Sequence, residues 1–183
     1  MPQFYLKDVS MQQVYIPKER IRGLREKKGI LQELGRLCGC SLSIDDETVV
    51  VQGDAYDEFT AKNVIYAYGR GFDMVDAETL IDEGNYFGSI DLRQAFGSSK
   101  RIMQVKARII GENGRTKRYI EQVSNVKISV YGDTVSFIGT NEAIAEAETA
   151  VSALIEGRTH KTAYEKMEAM HRRNKDAFHN PAF

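Results

Sequence analysis

Residues 108–120 read Arg108-Ile109-Ile110-Gly111-Glu112-Asn113-Gly114-Arg115-Thr116-Lys117-Arg118-Tyr119-Ile120. An apolar pair, a Gly-x-x-Gly and a run of cations together can hold a phosphate. Glycine lacks the Cβ that would keep an anion away from the main chain. The amides that open a following helix have no intrahelical partner and point at an approaching anion. Arg115, Lys117 and Arg118 add positive charge at the same end, and Arg108 stands just before the turn. A bare Gly-x-x-Gly is common by chance, so its surroundings decide its meaning. Residues 100–120 hold seven Lys or Arg against Glu112 alone, although the 183-residue chain has 25 Lys plus Arg, 26 Asp plus Glu and a net charge of −1. Phosphate contacts need local positive potential, so an overall balance of charge does not exclude a polyanion as partner.

Other chemistries find less support. Residues 18–29 form a second basic run, six Lys or Arg against Glu19 and Glu26, whereas residues 73–91 hold six acids and no Lys or Arg. The Gly-x-x-x-x-Gly-Lys-Ser/Thr of a nucleotide phosphate loop is absent. Cys38 and Cys40 have no second cysteine pair and no nearby histidine, so small residues packing near a helix end is the simpler reading than metal ligation. His160, His171 and His179 lie in a basic C-terminal segment and read as surface residues. No Ser-His-Asp set or paired carboxylates stand out, and Asp45-Asp46-Glu47 reads as a solvated turn. No catalytic residue, metal or cofactor is assigned, and an enzyme is not expected. Two cysteines offer no disulfide framework, no apolar run is long enough to span a bilayer, and the N-terminus lacks the pattern of a signal peptide. A soluble, cytoplasmic protein is the expectation.

An internal repeat sets the elements that must position the turn. Residues 42–53 and 128–139 share apolar pattern, turn position and closing glycine. In each, alternating apolar residues mark two half-buried strands: Leu42, Ile44, Val49 and Val51 in the first copy, Ile128, Val130, Val135 and Phe137 in the second. Asp46-Glu47 and Gly132-Asp133 suit two-residue hairpin turns. A helix with one apolar stripe follows each hairpin and stops at Gly71 or Gly157. Before each hairpin comes a helix opened by Gly29 or Gly114, then working backwards a basic helix (residues 18–27 and 98–109) and a strand (residues 12–16 and 86–92). The expected fold is α+β, two units each ordered strand, helix, helix, strand, strand, helix. Their expected bounds are residues 1–75 and 84–183, the second carrying a C-terminal helix, with residues 72–85 joining them.

A Gly-x-x-Gly turn between two helices of such a unit resembles a type I KH domain, which clamps about four nucleotides of single-stranded RNA. The resemblance extends further. Ile-Pro-Lys-Glu-Arg-Ile at 16–21, Tyr-Gly-Arg-Gly-Phe at 68–72, Ile-Asp-Leu-Arg at 90–93, Lys-x-Arg-Ile-Ile-Gly at 106–111 and Ile-Ser-Val-Tyr-Gly at 128–132 are similar to archaeal relatives of the partner-of-Nob-one family of ribosome-assembly proteins. That resemblance covers roughly residues 10–175. It implies two KH domains, RNA binding through the second, and a role in maturing the small ribosomal subunit near the 3′ end of its rRNA. It also implies two protein partners, a Nob-type endonuclease and the alpha subunit of translation initiation factor two. The RNA site expected from it comprises Arg108, Ile109, Ile110, Gly111, Glu112, Asn113, Gly114, Arg115, Lys117, Arg118, Ile128 and Val130, with Ile109, Ile110, Ile128 and Val130 as the apolar wall of a base-binding groove. The first copy departs from the pattern: Glu26-Lys27-Lys28-Gly29 has a carboxylate in place of the first glycine. A protein-interaction scaffold and a KH regulator of other RNAs are the alternatives.

Overall fold

Alternating apolar residues build two three-stranded antiparallel sheets, each with its middle strand last in sequence, and the computed structural model describes residues 10–27 and 29–179. The chain divides between Asp82 and Glu83 into two compact units. In the first, β1 (Ser10–Tyr15), α1 (Lys18–Glu26), α2 (Ile30–Cys38), β2 (Ser41–Asp45), β3 (Thr48–Gly53) and α3 (Ala55–Gly69) follow the expected order. Leu42 pairs with Val51 and Ile44 with Val49, which puts the apolar residues of both strands in register. The hairpin closes over Asp46-Glu47, with Asp46 at φ 49°, a left-handed conformation that aspartate tolerates. Val49 and Val51 are fully buried, as are Leu34 of α2 and Ala61, Val64 and Ile65 of α3.

Residues 72–85 do more than join. Here α4 (Met74–Glu78) and a 3-10 turn (Thr79–Ile81) pack on α3, burying Met74, Ala77 and Leu80. Asp73 caps α4, its Oδ1 accepting from the Asp76 amide at 2.8 Å. The apolar residues at 74, 77 and 80 carry helical spacing, but among the acids around them the stripe is easily taken for linker. Cys38 is buried within this unit, and that burial pushes its thiol up to about 11, with Cys40 raised for the same reason. The thiolate is the reactive form. A thiol-specific reagent at pH 8 should therefore modify Cys38 in urea-unfolded protein and leave it largely unmodified in the folded chain, as mass spectrometry of the labelled peptide would read. Rapid labelling of folded protein would contradict the buried placement.

The second unit runs β4 (Tyr86–Asp91), α5 (Leu92–Ala95), α6 (Ser99–Ile110), α7 (Arg115–Ser124), β5 (Lys127–Tyr131), β6 (Thr134–Gly139), α8 (Asn141–Ile155) and α9 (His160–His179). The sheet order β4-β6-β5 repeats that of β1-β3-β2. Val130 pairs with Val135 and Ile128 with Phe137 across the Gly132-Asp133 turn. Its core gathers Ile102, Val105 and Ile109 from α6, Ile120 from α7, Ile128, Val135 and Phe137 from the sheet, and Val151 and Leu154 from α8. The helix α9 joins that core through Ala163 and Met167, both fully buried. Glu146 of α8 is 3% exposed and is satisfied by α9, facing His171 Nδ1 at 2.8 Å and accepting from Asn174 Nδ2 at 2.7 Å. The rings of Tyr119 and Tyr164 lie 4.4 Å apart, tilted by 50°, and the Tyr119 hydroxyl bonds Glu168. That carboxylate holds the Tyr119 phenol above its ordinary range.

Candidate nucleic-acid interface

The helices α6 and α7 meet at Gly111–Gly114, and the turn exists because its backbone takes shapes that side chains oppose. Gly111 has φ 72° and ψ 173°, Asn113 has φ 51°, and Gly114 has φ 75°. Asparagine and glycine are the residues that enter the left-handed region most cheaply. At Gly111 space is decisive as well. A Cβ there would lie 2.2 Å from Thr116 Oγ1 and 2.8 Å from the Thr116 amide nitrogen. Thr116 is buried at 5% exposure beneath the turn, a supporting residue to which charge and glycine spacing give no clue. Its small branched side chain at the second position of α7 is the one sign the sequence carries. The Gly111 amide donates to the Ala107 carbonyl at 2.8 Å, ending α6, and the Gly114 amide donates back to the Gly111 carbonyl at 3.1 Å. Gly114 has no side chain to cap α7, so the helix opens with its positive dipole end bare.

The cations around this turn fall into two groups. Arg115 and Arg118 are exposed and have no side-chain partner among the described residues. Lys117 instead bonds Glu121 at 2.8 Å, its side chain 31% exposed. The same Glu121 Oε1 accepts from the Ile128 amide at 2.8 Å, tying α7 to β5. Arg108 donates to the carbonyls of Leu154 and Arg158, clamping the end of α8. Glu112 and Asn113 project into solvent at the tip. Arg115 and Arg118 are therefore the mobile charges at the turn; Lys117 and Arg108 are held by the fold.

The expected apolar wall needs a correction. Ile109 is fully buried and Ile128 is 3% exposed, and both belong to the core of the unit. A residue every third or fourth position of α6 turns inward, so of two adjacent isoleucines only one can face a ligand. That one is Ile110, 37% exposed, while Val130 is partly buried at the sheet. Along the same outward face of α6 lie Ala107 and Met103, the latter 67% exposed. This apolar ridge leads straight to Gly111, and it is hidden in the sequence because exposed apolar residues on a helix read as core by periodicity alone.

The first unit shows what happened to its own basic run. Lys18 pairs with Glu47 at 2.6 Å and Arg22 with Glu26 at 2.8 Å. Arg25 donates to the Asp46 carbonyl at 3.0 Å. Arg20 stacks on Tyr68 at 3.8 Å and donates to the carbonyls of Tyr68 and Phe72. Gly29 keeps a left-handed φ of 89° and opens α2. Lys28 lies outside the described residues. Four of the charges counted in the sequence are thus already occupied within the unit. Among the described residues no cluster of three or more His, Cys, Asp or Glu is placed to hold a metal ion, and no helix is long and apolar enough to cross a membrane.

Residues 86–172 match the family model described as the eukaryotic-type KH domain, KH-domain type I. A KH domain-containing protein of Methanocaldococcus jannaschii is 33% identical over 168 residues, covering 88% of this chain and 74% of that protein. The pre-rRNA-processing protein pno1 of Aspergillus fumigatus is 27% identical over 120 residues, 64% of this chain and 48% of its own length, so this chain spans about half of that relative. Among solved structures, Dim2p of Pyrococcus horikoshii in a complex with initiation factor two alpha and rRNA superposes with a TM-score of 0.81 at 33% identity, covering 95% of this chain and 97% of that one. With these relatives and a Gly-x-x-Gly turn built between two helices of a strand-helix-helix-strand-strand-helix unit, the chain belongs to the archaeal Pno1-like (Dim2p) family of KH-domain proteins.

Proposed function

We propose that this chain binds single-stranded RNA through the Gly111–Gly114 turn of its second unit, and that it acts in the cytoplasm on the 3′ region of small-subunit rRNA during maturation. The observation that carries the reading is the turn itself: a main chain kept bare by Gly111 and Gly114, beside Arg115 and Arg118, which are exposed and unpaired among the described residues. Backbone amides and guanidiniums hold phosphates, while bases lie along the apolar ridge of Met103, Ala107 and Ile110 and are read at their edges. Nothing in this assigns a reaction to the chain. Its work is to present RNA, and the endonuclease that cuts is a separate, Nob-type partner. The complex formed by the Pyrococcus relative supports initiation factor two alpha as a second protein partner.

The first unit takes no phosphate in this way, since four cations of its basic run are already occupied and Glu26 stands where the turn needs glycine. Fluorescence anisotropy with an oligoribonucleotide from the 3′ end of small-subunit rRNA tests the assignment. Glu112→Lys should tighten binding and steepen the salt dependence by about 0.7 in log–log slope, the increment of one added phosphate contact on a single strand. Asn113→Asp, which keeps a residue that tolerates φ > 0, should weaken it. Lys27→Gln should leave affinity within about twofold, as for a surface charge outside the site. Indifference to the first two substitutions would remove the site from the turn.

A further inference from the structure

A second cluster of positive charge lies on the flank of α6 away from its apolar ridge, where α8 turns into α9. Two conditions create it. The helix α8 ends in a left-handed Gly157, φ 89°, with Gly157 and Arg158 amides donating back to Leu154 and Ala153. A Cβ at Gly157 would lie 3.9 Å from Arg101 Nη2 and 4.0 Å from Arg108 Nη1. Two guanidiniums from α6 therefore converge on a piece of bare backbone. Arg158 and Lys161 follow within one helical turn, and Lys100 is exposed next to Arg101.

The cluster is poorly neutralised. Arg158 meets Glu156 only loosely, at 3.7 Å, with both side chains more than half exposed. Lys161 is 3.9 Å from Glu165. Arg101 has Gln104 at 3.5 Å and the Phe96 ring at 5.6 Å, and no carboxylate among the described residues. Arg108 uses one N–H of each terminal nitrogen on the Leu154 and Arg158 carbonyls, which leaves its remaining donors available and its plane fixed. A fixed guanidinium beside a mobile one, over a glycine, suits a doubly liganded phosphate oxygen pair.

We propose that Arg101, Arg108 and Arg158, gathered around Gly157, form a second phosphate-binding surface that holds the RNA strand where it leaves the Gly111–Gly114 clamp. The proposal rests on the RNA-binding reading above and adds a path to it. Arg108 stands one helical turn before Gly111 and Arg101 two turns further back, so the surface spans roughly 5–15 Å along α6 from the clamp. Its ligand is a phosphodiester, recognised without regard to base.

Two single-stranded oligoribonucleotides from the 3′ end of small-subunit rRNA separate the two sites: one of about four nucleotides, the span of one clamp, and one about three times as long. The full chain is used, with Arg101→Gln and Arg158→Gln combined. Both side chains are exposed, and Arg108, which clamps α8, is left alone. The wild type should bind the longer strand more tightly. The double variant should bind it about 10-fold less tightly, with a log–log salt slope lower by about 1.4, yet bind the short strand unchanged. Lys166→Gln, removing a single charge outside the cluster, on α9, should change neither. Equal losses on both lengths, no loss on the longer, or the same loss from Lys166→Gln would overturn the proposal. So would undiminished RNA binding accompanied by loss of an acidic protein partner. A wild type that binds neither strand defeats the RNA-binding reading and this proposal with it; one that binds both while the double variant is indifferent defeats this proposal alone.

Discussion

Replacing Arg115 and Arg118 together by glutamate should lower the affinity for single-stranded RNA on the order of 100-fold at physiological salt, with no loss of fold. The magnitude comes from removing two charge-assisted hydrogen bonds to phosphate and setting two repulsive charges in their place. Both side chains are exposed and neither has a partner among the described residues, so the rest of the protein is left as it was. Their position protects the helix as well, since Arg115 opens α7 and acids in a first turn favour the helix dipole. Reversing Lys117 instead is a poor test. Its ammonium holds Glu121, which also accepts the Ile128 amide, so a fall in affinity would mix binding with stability. Anisotropy titration across a salt series, with circular dichroism on the same samples, reads both quantities. Native helix content with undiminished affinity would place the RNA elsewhere.

The contrast between Arg115 and Lys117 also shows where sequence reading stops. The repeat at 42–53 and 128–139 was legible because strands alternate with period two and each hairpin is marked by its own turn residues. The turn at Gly111–Gly114 was legible because glycines at that spacing between helices have few other uses. Which cations stay free was not legible, because pairing is decided by residues distant in the chain. Arg20 reaches Tyr68 and Phe72, and Arg108 reaches Leu154 and Arg158, hydrogen bonds across about fifty positions. Side-chain direction at the end of α6 was also hidden, since two adjacent isoleucines look alike until the helix face is known. The role of Glu146 was invisible for the same reason, its partners His171 and Asn174 lying on another helix.

That adjacent pair of isoleucines offers the sharpest separation of packing from binding. Ile109→Ala should destabilise the protein by about 2–5 kcal/mol, the usual cost of truncating a fully buried aliphatic side chain and leaving a cavity. Ile109 is 0% exposed within a cluster that includes Ile120, Phe137 and Leu154, none of which can move in without opening a gap elsewhere. Ile110→Ala, one residue on, removes a side chain that is 37% exposed and should cost far less stability. Its effect should fall on RNA affinity, because a base beside Gly111 then has less apolar surface to lie against. Urea unfolding followed by anisotropy, carried out on both variants below their midpoints, distinguishes the two roles. The expected pattern is a large shift in midpoint with near-native affinity for Ile109→Ala, and the reverse for Ile110→Ala. If the folded fraction of Ile109→Ala binds RNA as weakly as Ile110→Ala does, both isoleucines line the groove, and the placement of Ile109 in the core is wrong.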